Sequence, residues 1–341
     1  MWKKSLTYRL ISNQGSVLIL VMWVVSVLVM MVVAMSAQVG GQINYSRNFR
    51  NRTRAEWLAQ AGIRQALAEL NKEKKTSWYD SLRDSWCNNA EVFKSISLGE
   101  GSFTVSHQYI EDNDSRITFY GISDEERKLN FNTAGLSIIK KLLEEVGGLD
   151  KLESQKVAAA IVDWRDPDGE ITEQGAEDYY YQTLKNPYHC KDKKIDVSEE
   201  LLLVRGMTPE LFSKIEPYIT IYGKGPVNIN TASVPVLLAL GLNEPLAKKV
   251  IQFRIGTDGL TGTSDDNTIT NPAEISVLIG SKVSLSESER QSLNALYVAN
   301  LITAVSSYFL INSEGELPAQ ESKKITCIVS RDGQVWRWFE R

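Results

Sequence analysis

The longest apolar run of the chain lies near its N-terminus, at residues 16–35, and contains no charged residue. At about 1.5 Å per residue, a helix of this length crosses the roughly 30 Å hydrocarbon core of a bilayer. Lys3, Lys4 and Arg9 precede the run, and the first acidic residue is Glu56. Because positive charges are retained in the cytoplasm, the pattern predicts one membrane span with a cytoplasmic N-terminus and the rest of the chain on the opposite side.

A second apolar pattern follows the span and repeats at helical spacing. Its positions are Ala55, Leu58, Ala59, Gly62, Ile63, Ala66, Leu67 and Leu70. Polar residues such as Arg64 and Glu69 lie mostly on the other face, as in an amphipathic helix. We therefore predict one helix over residues 16–70, which leaves the membrane and packs its apolar stripe against a globular domain.

Alternating apolar and polar positions predict strands on both sides of a long helical middle. Residues 102–110 and 115–122 form two such runs around a polar turn and predict an antiparallel hairpin, and two or three more strands follow in residues 303–341. The sequences SEG at 313–315 and RDG at 331–333 are the predicted turns between these last runs. We expect an α+β fold with a pilin-like antiparallel sheet that a large all-α insertion interrupts.

The helical middle contains an internal repeat. Residues 129–134 (LNFNTA) recur as residues 227–232 (VNINTA), and an apolar helical pattern follows each copy. Asn and Thr directly before each apolar run predict helix N-caps. The second copy resembles helix-hairpin-helix units, many of which bind DNA, but Glu244 stands at the turn that would face phosphate. We interpret both copies as packing units and keep a membrane-tethered DNA-binding protein of the competence type as the alternative function.

Composition restricts the remaining function classes. The net charge of −4 and the pI near 5.5 argue against a nucleic-acid-binding surface. Three cysteines (Cys87, Cys190 and Cys327) are too few for a disulfide framework, although one bridge remains open. No Ser-His or metal-His constellation accompanies the paired acids Asp163 and Asp166, so a membrane-anchored hydrolase is disfavoured. We expect no enzymatic activity and no small-molecule substrate.

The densest group of chemically active residues lies between residues 161 and 182. Its carboxylates are Asp163, Asp166, Asp168, Glu170, Glu173, Glu177 and Asp178, and only Arg165 offsets them. Hard oxygen ligands at alternating loop positions suit Ca²⁺. An EF-hand is excluded because Ile171 stands where that loop requires glycine. A calcium loop of another kind and a solvated acidic loop both remain open.

A second acidic loop, GTDGLTGTSDDN at residues 256–267, contains Asp258, Asp265 and Asp266 among glycines and threonines. Flexible loops of this composition offer side-chain and backbone oxygens to calcium. The alternative is a flexible turn between two helices.

The start of the apolar run resembles the cleavage site of type IV prepilins, because Gly15 stands at the boundary between polar and apolar residues. In that class a cytoplasmic-side peptidase cuts after the glycine, which predicts a leader of residues 1–15 and Ser16 as the mature N-terminus. Most pilins have Glu at the fifth mature position, whereas this chain has Leu20, as is habitual in the K pseudopilins. A plain single-span anchor and a secretory signal cleaved near Ala37 remain the alternatives.

A longer series of motifs resembles the K minor pseudopilin family of type II secretion. DWRDPDGE, GAEDYYY, an Asn-Pro-Tyr, the VSEELLLVRGMTPELFSKIEPYIT block and VNINTAS follow one another in that family's order. The resemblance implies a pilin-like domain in residues 71–125 and 300–341, with an α-helical insertion at residues 126–299. It also implies structural calcium bound by Asp166, Asp168, Glu177 and Asp178, with Glu170 and Asp163 as further candidates.

The same resemblance implies a function and partners. K subunits are thought to cap the periplasmic pseudopilus together with the I and J minor pseudopilins, and so to support protein export across the outer membrane. The expected partners are therefore I, J and other pseudopilins, the prepilin peptidase and the bacterial inner membrane, without nucleic acid. The C-terminal domain would be periplasmic.

Overall fold

The computed structural model describes residues 14–73, 78–110, 116–318 and 321–340. Lys3, Lys4 and Arg9, on which the predicted orientation rests, lie outside these residues. The chain divides into two compact units, Met1–Arg54 and Ala55–Arg341.

The α-helices of the described residues are α1 Gln14–Glu73, α2 Ala90–Phe93, α3 Leu136–Glu145, α4 Lys151–Arg165, α5 Asp178–Gln182, α6 Pro209–Ile215, α7 Val234–Ala239, α8 Glu244–Arg254, α9 Ile275–Gly280 and α10 Glu287–Val298. Short 3-10 segments lie at Ser198–Leu203, Glu216–Tyr218 and Pro272–Glu274. The strands are β1 Ile96–Leu98, β2 Gly101–Val105, β3 His107–Ile110, β4 Arg116–Phe119, β5 Ser123–Asp124, β6 Leu129–Asn130, β7 Ile219–Thr220, β8 Val227–Asn228, β9 Ile302–Thr303, β10 Tyr308–Glu316, β11 Ser322–Ser330 and β12 Val335–Glu340.

The first unit contains the N-terminal part of α1. Val17–Val39 is long and apolar enough to cross a membrane, and none of it is buried by other residues. The predicted span therefore lies in a helix. The helix continues to Glu73, so the expectation of a single helix over residues 16–70 is confirmed.

In the second unit, the C-terminal part of α1 packs against an antiparallel sheet. The buried apolar positions of the helix include Ala55, Leu58, Ala59, Ile63, Ala66 and Leu70. Glu69, which was expected on the polar face, is also buried and pairs with Lys72. Leu58, Ala59, Ile63, Ala66 and Leu70 share a core with Phe103 of β2 and with Phe309 and Ile311 of β10. The predicted apolar stripe is thus the packing face of the helix.

The sheet has the strand order β1-β2-β10-β11-β12, and β5 also pairs with β10. The C-terminal strands pair antiparallel, with Ile311 opposite Cys327 and Cys327 opposite Trp338. The predicted N-terminal hairpin is β3 and β4, which form a separate two-stranded sheet. Residues 101–105 instead form β2 of the main sheet, because the chain changes sheets at Ser106.

The prediction of a turn at residues 313–315 was wrong. These residues lie inside β10, and Ser313 is paired with Ile325 of β11. A Cβ atom on Gly315 would lie 2.1 Å from the backbone oxygen of Ala55 in α1. The glycine therefore permits close approach of strand and helix and does not mark a turn. The turn predicted at residues 331–333 is confirmed, with Gly333 at a φ of 91°.

The helical insertion between β5 and β10 has its own hydrophobic core. Buried residues from α3, α4, α7 and α8 meet there, among them Leu142, Ile161, Leu237 and Val250. Two short parallel pairs, β6 with β7 and β8 with β9, lie in this region, so the prediction of an all-α insertion was wrong. The expected mixture of an N-terminal apolar helix, antiparallel sheets and helices is therefore present.

Candidate metal centre

The two copies of the internal repeat place an asparagine in the same structural role. The side chain of Asn132 donates to the backbone oxygen of Ile195 at 2.9 Å and accepts from its nitrogen at 2.7 Å. Asn230 makes the same pair of bonds with Ile269, at 3.0 and 2.8 Å. The predicted asparagine and threonine N-caps were wrong, because α3 and α7 begin after Gly135 and Ser233, which make no side-chain cap bond. The asparagine side chains bind distant loops instead.

An arginine near the end of the second helix completes each copy. Arg165, the last residue of α4, donates to the backbone oxygens of Phe131 and Ala134. Arg254, the last residue of α8, donates to the oxygens of Ala232 and Ile229. An acidic loop follows each arginine, so the two loops that the sequence singled out occupy equivalent positions.

The first loop collects carboxylates around Glu177. Oxygen atoms of Asp166, Asp168 and Glu177 lie within 4.8 Å of one another. Asp163, on the last turn of α4, is fully buried beside them and accepts from the nitrogen of Thr172 at 3.1 Å. A Cβ atom on Gly175 would lie 2.0 Å from Asp163 Oδ2, so only glycine leaves room for this carboxylate.

Several of these buried oxygen atoms have no hydrogen-bond partner. They are both carboxylate oxygens of Glu177, Oδ2 of Asp163, and Oδ1 of Asp166. Glu177 is only 4% exposed, so bulk solvent has little access to its carboxylate. An unsatisfied buried carboxylate is costly unless a proton or a cation neutralises it.

The electrostatics agree with this geometry. Burial, and then the carboxylates of Asp163, Asp192 and Asp166, raise the pKa of Glu177 to about 7. Burial, followed by the neighbouring carboxylates, also raises the pKa of Asp166. Hard oxygen donors with several unfilled acceptor positions fit a Ca²⁺ ion, which takes six to eight oxygen ligands.

Two of the predicted ligands lie elsewhere. Asp178 accepts from the backbone nitrogen of Cys190 at 2.9 Å and contacts the ring of His189 at 3.1 Å, and the bond from Cys190 lowers its pKa. Glu170 is exposed, and its backbone nitrogen donates to Asp168 at 2.8 Å. Neither side chain belongs to the groups of three metal-ligating residues found among the described residues.

The structure instead adds Cys190 and Asp192, which sequence reasoning missed. Ligand atoms of Glu177, Cys190 and Asp192 lie within 4.8 Å of one another, and Oδ1 of Asp192 is buried without a partner. Asp192 adopts a φ of 50°, a turn conformation that asparagine and aspartate tolerate. The only local signal was the close succession of ligand types in HCKD at residues 189–192.

The second loop also brings its acids together, but their oxygens are occupied. Asp258, Asp265 and Asp266 form a group within 4.8 Å. Oδ2 of Asp265 accepts from the nitrogens of Thr257 and Asp258 at 2.7 and 3.1 Å. Hydrogen bonds from Thr263 and Thr257 hold the pKa of Asp265 well below its ordinary value. Hydrogen-bond donors of this loop already contact its carboxylate oxygens, so the loop fits a cation less well.

The predicted cleavage site lies in the first residues of α1, which begins at Gln14. The fold of this helix does not test processing, so cleavage between Gly15 and Ser16 stays a prediction.

Comparison with known proteins finds similarity to one family. A family model described as type II secretion system (T2SS), protein K, matches residues 118–224. The type II secretion system protein K of Aeromonas hydrophila is 27% identical over 262 residues, which cover 70% of this chain and 75% of the relative. The protein of the same name from Klebsiella pneumoniae is 22% identical over 264 residues, or 72% and 76% of the two chains. The chain is similar to the type II secretion system protein K family.

A solved structure shows a similar fold. The chain resembles a chain in the crystal structure of the GspK–GspI–GspJ complex from enterotoxigenic Escherichia coli, with a TM-score of 0.64 and 16% sequence identity. The match covers 87% of this chain and 99% of the other. The predicted helix-hairpin-helix character of the repeats is not shown by these comparisons.

Proposed function

We propose that this chain is a minor pseudopilin at the tip of the type II secretion pseudopilus, where it supports pseudopilus assembly and protein export across the outer membrane. Its relatives are proteins K of this secretion system, and the fold matches a chain crystallised in complex with GspI and GspJ. The proposed partners are the I and J minor pseudopilins, other pseudopilins and the prepilin peptidase. The proposed location is the inner membrane, with the C-terminal domain in the periplasm.

The observation that supports this role most directly is the composition of α1. One helix contains the bare apolar segment Val17–Val39 and, further on, the buried stripe from Ala55 to Leu70. A subunit of this kind resides in a membrane before assembly and exchanges lipid for neighbouring helices in a fibre. Leu20 replaces the acid that would pair with a subunit above, which suits the terminal position in a fibre.

N-terminal analysis of the membrane-extracted protein tests the processing step. We expect Ser16 as the first residue in cells that contain the prepilin peptidase, and the uncut leader in cells without it. A first residue near Ser36 or Ala37 would indicate a removed secretory signal and would contradict the pseudopilin assignment.

The tip position needs a separate experiment. Antibody against the insertion should label one end of sheared pseudopili, and the full-length chain should copurify with the I and J subunits. Label along the whole fibre, or no association with I and J, would remove the tip role.

Calcium is the proposed structural cofactor of the first acidic loop. The unsatisfied oxygens of Glu177, Asp163 and Asp166 support this assignment. A bound ion would connect the end of α4 to the start of α5 and so fix one side of the insertion. The DNA-binding alternative receives no support from the comparisons, and Glu244 at the turn forms an ion pair with Lys248 of its own helix.

A further inference from the structure

A group of arginines follows the apolar span within the first unit. They lie in a short stretch of α1, at positions Arg47, Arg50, Arg52 and Arg54. No acidic residue precedes Glu56 in the sequence. The chain as a whole has a net charge of −4, so this concentration of positive charge is a local feature. A membrane anchor needs only the apolar span, and the arginines therefore require a separate explanation.

Three of these arginines have no acidic partner within the part of the chain that the structure describes. Arg47, Arg50 and Arg52 are exposed on α1, and none of them forms an ion pair or a side-chain hydrogen bond with another described residue. The first acid that follows them, Glu56, accepts a hydrogen bond from Gln60 at 3.1 Å. The three guanidinium groups are therefore available to an anion outside the chain.

Arg47 and Arg50 lie close to the end of the span. They are eight and eleven residues beyond Val39 in the same helix. At about 1.5 Å per residue, these intervals are about 12 and 16 Å. The headgroup layer adds about 5–7 Å to each side of the hydrocarbon core, and long arginine side chains extend toward it. A spacing of three residues puts both side chains on one face of the helix, so a modest tilt brings them to the headgroups together.

Aromatic side chains lie in the same stretch of the helix. Tyr45 is 75% exposed and Phe49 is 64% exposed, and their spacing of four residues gives them a common face. Exposed aromatic side chains that flank an apolar span are typical of the membrane–water interface. A guanidinium group binds phosphate oxygens through two parallel N–H donors. The segment thus combines interfacial side chains with phosphate-binding ones.

We propose that Arg47, Arg50 and Arg52 bind the headgroups of anionic phospholipids in the leaflet from which the C-terminal end of the span emerges. Lipid is favoured over an acidic neighbouring protein because the arginines are continuous with the span and complement the charge of an anionic membrane surface. Positive charge on the translocated side opposes the bias that orients spans, so the arginines do not serve the predicted orientation. The inference rests on the membrane location within the proposed function and is independent of the tip position.

Spin-labelled lipids provide a direct readout, because lipids in contact with a protein give a motionally restricted electron paramagnetic resonance signal. The full-length chain is reconstituted in phosphatidylcholine bilayers that contain a trace of spin-labelled phosphatidylglycerol or phosphatidylcholine. We expect the native chain to prefer phosphatidylglycerol about fivefold or more, since one basic residue near an anionic surface already accounts for this factor. The preference should fall toward one in about 1 M salt, where the Debye length is about 3 Å. No preference in the native chain would overturn the proposal.

A double variant assigns the lipid preference to these residues. Arg47→Gln with Arg50→Gln should lose most of the preference for phosphatidylglycerol. The matched control, Arg64→Gln with Arg116→Gln, removes two exposed arginines of the second unit and should keep it. All four side chains are exposed, so we expect both variants to fold. Equal preferences of the first variant and the native chain would contradict the proposal.

Carbonate extraction of cell membranes separates this inference from the proposed function. A chain that resists extraction but shows no lipid preference keeps the membrane location and refutes only the lipid site. A chain that carbonate releases has no membrane location, and both proposals then fail. If the native chain shows no lipid preference and the first variant no longer copurifies with the I and J subunits, an acidic neighbouring protein binds the arginines instead.

Discussion

The two acidic loops of the insertion share a scaffold but differ in how their carboxylates are satisfied. Each loop follows an arginine that binds the backbone of a repeated motif, Arg165 in the first copy and Arg254 in the second. In the first loop, Glu177 is buried with both oxygens unpartnered. In the second loop, Asp265 accepts hydrogen bonds from Thr257, Asp258 and Thr263.

This contrast shows that acid count is a poor guide to a metal site. Both loops bring three carboxylates within 4.8 Å. Small residues and threonines allow the second loop to fold back on Asp265, so backbone N–H groups occupy the positions that a cation would take. The first loop buries Asp163 and Glu177 near the end of α4, and both oxygens of Glu177 and Oδ2 of Asp163 lack a donor. The two loops therefore differ in whether their buried carboxylate oxygens accept hydrogen bonds.

The largest expected effect concerns the shared scaffold. Arg165→Met and Arg254→Met should each lower the free energy of unfolding by about 2–4 kcal/mol, because buried carbonyl oxygens lose a charged donor. Chemical denaturation of the full chain measures this. Arg116→Met, at an exposed position of β4, is the control and should change stability by less than about 0.5 kcal/mol. If only one of the two arginines mattered, the structural equivalence of the copies would fail.

Calcium should stabilise the protein through the first loop alone. At a free concentration about 100 times the Kd, an ion that binds only the folded state adds about 2.7 kcal/mol. Thermal melting with calcium and with chelator measures the shift. Glu177→Gln should abolish it, whereas Asp265→Ala should keep it. If Asp265→Ala lost the shift and Glu177→Gln kept it, calcium would bind the second loop and our assignment would be wrong.

The calcium-free protein should show a pH-dependent stability that comes from Glu177. Its folded-state pKa is raised from 4.5 to about 7, so the folded state holds a proton that the unfolded state has released. Stability from this group is present below about pH 4.5 and is lost as the pH rises to about 7. Denaturation across this window should show a decline that Glu177→Gln lacks. Saturating calcium, which favours the ionised form, should remove the decline, and an unchanged profile would contradict the assignment.

The smallest effect concerns the second loop. Asp265→Ala should loosen the loop locally, because the backbone nitrogens of Thr257 and Asp258 lose their acceptor. Amide hydrogen exchange at these two residues should become faster, while that of the first loop stays the same. The pKa of Asp265 is lowered, so its contribution should fade as the pH falls through the acidic range. Unchanged exchange in this variant would show that the hydrogen bonds do not order the loop.

Sequence reasoning identified the elements whose signals are local. The apolar run gave the segment Val17–Val39, and helical spacing gave the buried stripe of α1. Alternation gave the strands β10 to β12, and self-similarity gave the two repeat copies. The first acidic loop was found from its density of carboxylates, and Asp166, Asp168 and Glu177 do meet. Each of these signals is a periodicity or a composition that lies within a short segment of the sequence.

Only the tertiary structure decided the features that depend on residues far apart in sequence. Gly315 looked like a turn residue until α1 was seen against β10. Asp178 was predicted as a ligand, but its carboxylate accepts a hydrogen bond from the backbone nitrogen of Cys190. Asp192, from another loop, lies beside Glu177 instead. The sequence by itself determined where the apolar helix, the strands and the acids lie along the chain. Which oxygens stay unsatisfied was decided by packing, because burial and hydrogen-bond donors come from segments that only the folded chain brings together.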